Sequence, residues 1–260
     1  MKPDLLSISM FPTVSLDIED KIRNLLEIFE ANEKMIPTYW GNSDGVKVEY
    51  NRNEIIEKVI AKDKISELYL YRDKAAKYSG VFDIKWSQRS FLKIDFHKPI
   101  SPKLLASFYD FSDKIAQLVK PIYGVAHIFW PSTYPWNNER ERMQVWMDVC
   151  AYPVPVRFFP NGPLGIGART YFSGHLLEMF GKEFLLDCPG EVTEPDWGGI
   201  RIDVLPSFLT SDNDTLLESW LSIMKYLQTS QVLAIPSFDE DKMGVSFSPN
   251  TAWKEYLNKS

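Results

Sequence analysis

The chain repeats a pattern within itself, and that repeat limits its possible folds more than any other feature. Lys93-Ile94-Asp95-Phe96, followed by Pro99, Ser101 and Leu104-Leu105, has a counterpart in Arg201-Ile202-Asp203-Val204, followed by Pro206, Ser211 and Leu216-Leu217. Both copies continue through an amphipathic helix into an apolar strand that ends in Pro-Ser, at Pro131-Ser132 and Pro236-Ser237. Two such blocks at a spacing of roughly a hundred residues imply a duplicated architecture. Duplication restricts shape and says little about chemistry.

The patterns between these anchors complete the expectation. Ser15 to Lys34 reads as a surface helix, with Ile18, Ile22, Leu25, Leu26 and Phe29 at helical spacing and Ser15 or Asp17 as its cap. In the first block Val46 to Tyr50 alternates as a half-buried strand, and a short helix from Asn53 to Ala61 follows. Ile65 to Tyr71 is an additional strand, and Val81 to Trp86 with Phe91 to His97 form a hairpin. Ser101 and Pro102 signal the start of a long helix to Val119, and Tyr123 to Trp130 is a central apolar strand. In the second block Arg169 to Phe172 is a strand, with a helix around Leu176 to Met179. Glu191 to Thr193 and Gly199 to Leu205 form the hairpin, Asp212 to Leu227 the long helix and Gln231 to Ile235 the last strand.

Each block therefore reads β-α-β-β-α-β, and the expected fold is α+β: two tandem ferredoxin-like repeats with an N-terminal helix. The corresponding divisions are 1–45 (N-terminal helix and the segment leading to the first repeat), 46–132 (first repeat), 133–167 (irregular connector, with a helix around Met143 to Val149) and 168–260 (second repeat and C-terminal tail).

Composition removes several function classes. With 260 residues the chain can bury a full core, and 25% charged against 45% hydrophobic residues is ordinary for a globular protein. The formal net charge is −6 and no basic run exceeds a pair, so a nucleic-acid partner is not expected, whereas a basic protein partner suits the balance. Asp4 and the serines interrupt the apolar run at the N-terminus, and no stretch reaches the length of a membrane span. Two cysteines are too few for a disulfide framework, which favours a reducing cytoplasm.

No motif declares a reaction. His97, His127 and His175 stand apart from one another, and Cys150 and Cys188 each lack a second cysteine nearby, so neither a metal site nor a cofactor is expected. His127, among apolar neighbours, reads as a packed core histidine. There is no Gly-x-Ser-x-Gly elbow, and the flanks of Cys150 offer nothing to polarise a thiol. The run Asn161-Gly162-Pro163-Leu164-Gly165-Ile166-Gly167 lacks the Gly-Lys-Ser/Thr ending of a phosphate loop and precedes a strand rather than a helix, which leaves turn chemistry as its reading. Asp95 and Asp203, at equivalent places in the two blocks, read as solvated residues on strand faces. Ser211-Asp212-Asn213-Asp214 caps a helix start, and Phe238-Asp239-Glu240-Asp241 is either a solvated loop or a contact surface.

Three short segments carry a resemblance: Tyr39-Trp40-Gly41 ahead of the first strand, Gly165 to Phe172 leading into a short helix, and Trp197-Gly198-Gly199-Ile200-Arg201-Ile202. With the order of the elements around them they resemble the immunity proteins of bacterial polymorphic-toxin systems, most nearly the immunity protein 52 group and its relatives. The resemblance implies a cytoplasmic binding protein, without catalysis, that covers the active surface of a cognate toxin. The alternative is an enzyme or small-ligand protein with its site in the cleft between the repeats. For the binding reading, the expected contact residues are Tyr134 and Trp136 in the connector, helped by Asp239, Glu240 and Asp241.

Overall fold

The computed structural model describes residues 3–61, 65–97, 102–131, 136–153, 161–206 and 212–259, with residues 102–104 described through their backbone. Of the positions singled out above, Pro99, Ser101, Ser132, Tyr134 and Ser211 lie outside the described residues.

The first part of the chain runs β1 (Leu5–Phe11), α1 (Glu19–Glu30), β2 (Tyr39–Gly41), β3 (Val48–Glu49), α2 (Arg52–Ile60), β4 (Glu67–Arg72), β5 (Tyr78–Asp83), β6 (Leu92–His97) and α3 (Pro102–Val119). The second part runs β7 (Tyr123–Phe129), α4 (Glu139–Cys150), β8 (Arg169–Phe172), α5 (Gly174–Phe180), α6 (Lys182–Leu186), β9 (Glu191–Thr193), β10 (Ile200–Asp203) and α7 (Asn213–Gln228). It ends with β11 (Ile235–Asp239), β12 (Gly244–Ser248) and α8 (Thr251–Lys259). Among the described residues, ten strands make one sheet in the order β3-β2-β4-β5-β6-β1-β7-β8-β10-β9, with every neighbouring pair antiparallel. The hairpin β11-β12 forms a separate two-stranded sheet.

Strand alternation distributes the two cores over opposite faces of the sheet. In β1, Leu6, Ile8 and Met10 join β4, β5 and β6 in a core closed by Ile22, Leu25, Leu26 and Phe29 of α1 and by Phe108, Phe111 and Ile115 of α3. β7 is buried throughout and serves both sides. Its Ala126 and Ile128 belong to that first core, while Tyr123, Val125 and Phe129 belong to a second one with Trp146, Trp220, Phe172 and Ile202. The helices of the first part thus cover one face, and α4 and α7 cover the other.

This arrangement corrects the expected topology. The four strands of a β-α-β-β-α-β unit must lie side by side, but β3 is separated from β5 by β2 and β4, and β6 from β7 by β1. Among the described residues, the chain after α7 does not return to the large sheet: residues 232–234 are buried without strand pairing, and β11 pairs with β12 alone. Tandem ferredoxin-like repeats are therefore not what the sheet order describes. The first element is a strand, β1, inserted at the centre of the sheet rather than a helix. The expected half-buried strand at Val46 to Tyr50 shortens to an exposed two-residue edge. Helix α1 starts at Ile18 without a side-chain cap, because Ser15 is engaged elsewhere: its Oγ accepts from Trp86 N at 2.9 Å and donates to Ile84 O at 3.3 Å.

Candidate functional site

The starts of α4 and α7 and the tip of the β11-β12 hairpin come together at one end of the second core. Asn138 begins α4, its Oδ1 accepting from Glu141 N at 3.0 Å, and the Glu141 carboxylate accepts from the backbone N–H of Asn137. Asp212 begins α7 in the same way, accepting from Thr215 N at 2.8 Å, and that backbone donor holds its carboxyl below the usual range. The Asp212 cap follows from the sequence reading, whereas α4 starts at Glu139, ahead of the helix expected around Met143 to Val149.

Two arginines of α4 tie these elements together. Arg140 Nε lies 2.8 Å from Asp214 Oδ1 of α7. Arg142 pairs with Glu139 on its own helix and reaches Glu240 Oε1 at 3.5 Å, while its guanidinium lies 4.6 Å from the centroid of Phe238. Phe238 meets Trp146 edge-on at 5.5 Å, and Trp146 meets Trp220 at 4.9 Å, so the hairpin is held against α4 and α7 by a ladder of rings. The result is a surface rich in carboxylate: Glu139 and Glu141 from α4, Asp212 and Asp214 from α7, and Asp239, Glu240 and Asp241 from the hairpin, against Arg140, Arg142 and Lys242. Glu139, Asp214 and Glu240 are each more than 60% exposed.

Of the expected contact residues, Trp136 is half-buried two residues before the cap of α4. Asp239 is partly buried and engages Lys242 through its carboxylate, and Glu240 and Asp241 are exposed at the hairpin tip. Glu240 is brought to α4 by Arg142. Tyr134 lies outside the described residues. Arg140, Arg142 and Gln144 complete the surface. The run Glu139-Arg140-Glu141-Arg142 was visible in the sequence, but nothing local indicated that its arginines would reach across to α7 and the hairpin.

Elsewhere, the chemistry of individual groups is spent on structure. His127 is buried, its Nδ1 accepting from Ala168 N at 2.9 Å, so Nε2 carries the proton and donates to Asp148 Oδ1 at 3.0 Å. The Cys150 thiol is fully buried, donates to Leu164 O, and is pushed up well above the ordinary thiol range by burial; Cys188 is pushed up to about 11 by the same cause. The glycine-rich run is a buried strap rather than a simple turn. Trp220 Nε1 donates to Ile166 O at 2.9 Å, Tyr123 Oη donates to Gly165 O, and a Cβ on Gly167 would come within 2.2 Å of Val125. Asp203 is a further correction: at 5% exposure it is not solvated but accepts both Nε and Nη2 of Arg169, at 2.6 and 2.7 Å. Asp95 lies on the other side of the sheet, bonded by Ser7 Oγ at 2.7 Å and Lys93 Nζ at 2.8 Å.

A pocket of about 220 Å³ at the seam between the two parts is walled by Phe11, Trp86, Ile122, His175 and Tyr256. Among the described residues no group of His, Cys, Asp and Glu is placed to hold a metal ion, and no helix is long and apolar enough to cross a membrane.

No family model matches the chain, and no curated protein matches it. A similar fold occurs in the solved structure of the Pseudomonas aeruginosa T6SS protein PA0821, with a TM-score of 0.51 and 13% sequence identity over 84% of this chain and 76% of that one. At that identity the likeness concerns the fold.

Proposed function

We propose that this chain is a cytoplasmic immunity-type protein that binds a cognate toxin domain in a stoichiometric complex and covers its active surface. The observation that carries this reading is the convergence of carboxylates from α4, α7 and the β11-β12 hairpin on one surface beside Trp136. A surface of this kind speeds association with a basic partner, and an aromatic residue at its margin supplies the anchor that slows dissociation. The resemblance in the sequence points the same way, and the similar fold of a T6SS protein adds a secretion-system setting without assigning any residue a role.

The test takes a toxin domain encoded beside this chain, measures its inhibition by the purified protein, and titrates the complex by calorimetry. Inhibition at one-to-one stoichiometry is expected. Trp136→Ala should weaken binding by about 2 kcal/mol or more with folding retained. Neutralising Asp239, Glu240 and Asp241 together should slow association and flatten its salt dependence. An unchanged affinity in both variants, with Trp136→Ala lowering the melting temperature instead, would move the contact surface elsewhere. A second reading, a small-ligand protein, has the seam pocket in its favour. It predicts that a bound metabolite is displaced by Trp86→Ala, which removes one wall of that pocket.

A further inference from the structure

On the face of β4, β5 and β6 away from α1 and α3, strand pairing sets Tyr69 and Tyr71 beside Val81 and Ser79, and these beside Lys93 and Asp95. With Asp44, from the turn ahead of β3, they line a pocket of about 130 Å³. Tyr71 is the unusual member. It is 9% exposed, and its hydroxyl is a buried polar atom with no hydrogen-bond partner among the described residues. Burial pushes its pKa up, the nearby Gly45 amide opposes that shift, and the Asp44 carboxylate adds to it. The phenol oxygen thus has a donor in its vicinity, while its proton has no acceptor. Buried polar groups in folded proteins are almost always bonded, so an unbonded donor on a residue lining a pocket marks a place for a ligand oxygen.

The class of that ligand follows from what the pocket has already used. Lys93 Nζ lies 2.8 Å from Asp95 Oδ2, and Ser7 Oγ donates to Asp95 Oδ1 at 2.7 Å, so both oxygens of that carboxylate are taken. Ser79 Oγ lies 2.9 Å from His97 Nε2, and the Tyr69 hydroxyl donates to Glu67 Oε2 at 2.7 Å. Lys47 Nζ lies 4.5 Å from the centroid of the Tyr71 ring and sets one positive charge against Asp44, as Lys93 does against Asp95. A charged ligand therefore finds its counter-charge already balanced, and a purely apolar one leaves the Tyr71 proton unpaired. What stays on offer is the Tyr71 O–H and the remaining N–H groups of Lys93 as donors, with the exposed Asp44 carboxylate as acceptor. A hydroxyl serves all three, since it both donates and accepts. The rings of Tyr69 and Tyr71, with centroids 6.3 Å apart and planes within 16°, add an apolar wall together with Val81. We propose that this pocket binds a neutral sugar ring, its hydroxyls on Tyr71, Lys93 and Asp44 and its C–H face on the tyrosine wall. The pocket shares no residue with the carboxylate surface of α4, α7 and the hairpin, so the site stands independently of the toxin contact.

The experiment titrates methyl β-glucopyranoside and methyl β-galactopyranoside into the isotopically labelled protein. Tetrahydropyran serves as the ring without hydroxyls, glucuronate as the anion and glucosamine as the cation. Saturable shifts of the Gly45, Ser79 and Val81 backbone amides are expected from a neutral sugar and not from tetrahydropyran. The affinity should lie in the millimolar range available to so small a ligand and stay unchanged with added salt. Tyr71→Phe removes only the unpaired hydroxyl, so the fold should persist while affinity falls about fivefold, the worth of one neutral hydrogen bond. Asp44→Asn, at an exposed position, should weaken binding by about tenfold, the worth of a bond to a charged group. Absence of saturable shifts from both neutral sugars, tighter binding of glucuronate or glucosamine, or an unchanged affinity in Tyr71→Phe would overturn the proposal.

Discussion

Replacing Asp203 by alanine should damage this protein far more than the same change at Asp95, although the two occupy matching places in the sequence. Asp203 holds Arg169 through two charge-assisted bonds of 2.6 and 2.7 Å, and the two residues are 5% and 8% exposed. Burial alone disfavours the charge on Arg169, yet hydrogen bonding to Asp203 keeps its guanidinium above the ordinary value. Removing the carboxylate strands a buried cation, a loss of about 3–5 kcal/mol in comparable pairs. Asp113 Oδ2 remains 2.9 Å from Nη1, and Tyr109 O at 3.2 Å, which places the expected loss at the lower end, about 3 kcal/mol. For a chain of this size that is a fall in Tm of about 6–12 °C. Asp95→Ala breaks a partly exposed pair and one bond from Ser7, about 1 kcal/mol. Urea unfolding of the two variants and the parent measures the contrast through the shift in midpoint at constant slope. Arg169→Met with Asp203→Leu should recover most of the loss, because it removes the stranded charge rather than its partner. An Asp203→Ala protein within about 1 kcal/mol of the parent would refute the argument, since that is the worth of a solvated pair.

Two further outcomes follow from buried groups. Cys150→Ala and Cys188→Ala should each cost about 1 kcal/mol in urea unfolding and leave binding of the proposed partner intact, since burial disfavours both thiolates; loss of binding without loss of folding would count against this. At Asp148, burial pushes the carboxyl up against the opposing effect of the His127 bond. A folded pKa above the unfolded one favours the fold while the group is protonated, and that contribution is lost as pH rises through the folded value. Asp148→Asn should therefore flatten the part of the pH–stability curve that falls above about pH 3.9; identical slopes in the two proteins would refute it.

Most elements were legible because their signals are local. The stripe of Leu216, Leu217, Trp220, Ile223, Met224 and Leu227 fixes α7, and the run Tyr123 to Phe129 announces a strand buried on both faces. Strand order was not legible, and one omission accounts for much of the error. Leu6, Ile8 and Met10 alternate with Ser7 and Ser9 as a strand should, a signal that an interrupted apolar run at the N-terminus conceals. Placing β1 between β6 and β7 makes those two strands parallel to each other across an intervening partner, as a continuous antiparallel sheet allows. The match between Asp95 and Asp203 misled for a related reason. Alternation assigns a residue to a face, but which face a helix covers is decided by elements remote in sequence. Asp95 lies on the face away from α3, while Arg169, which holds Asp203, meets Asp113 of α3.

The carboxylate surface shows the same division between what is local and what is not. Asp212 had to be a helix start, since a short polar side chain ahead of an apolar-periodic run satisfies amides that nothing else can reach, whereas the charged run after Asn138 hides the start of α4. The acidic hairpin tip reads as loop or contact surface, because no residue near it in sequence gives its charges a structural task. What joins them is the cross-chain reach of Arg140 and Arg142 and the ring ladder from Phe238 to Trp220, which span about a hundred residues of sequence. Those contacts consume part of the charge that might otherwise greet a partner, pairing Asp214 and Glu240 with arginines. The same folding step that brings the three elements together thus neutralises part of their charge.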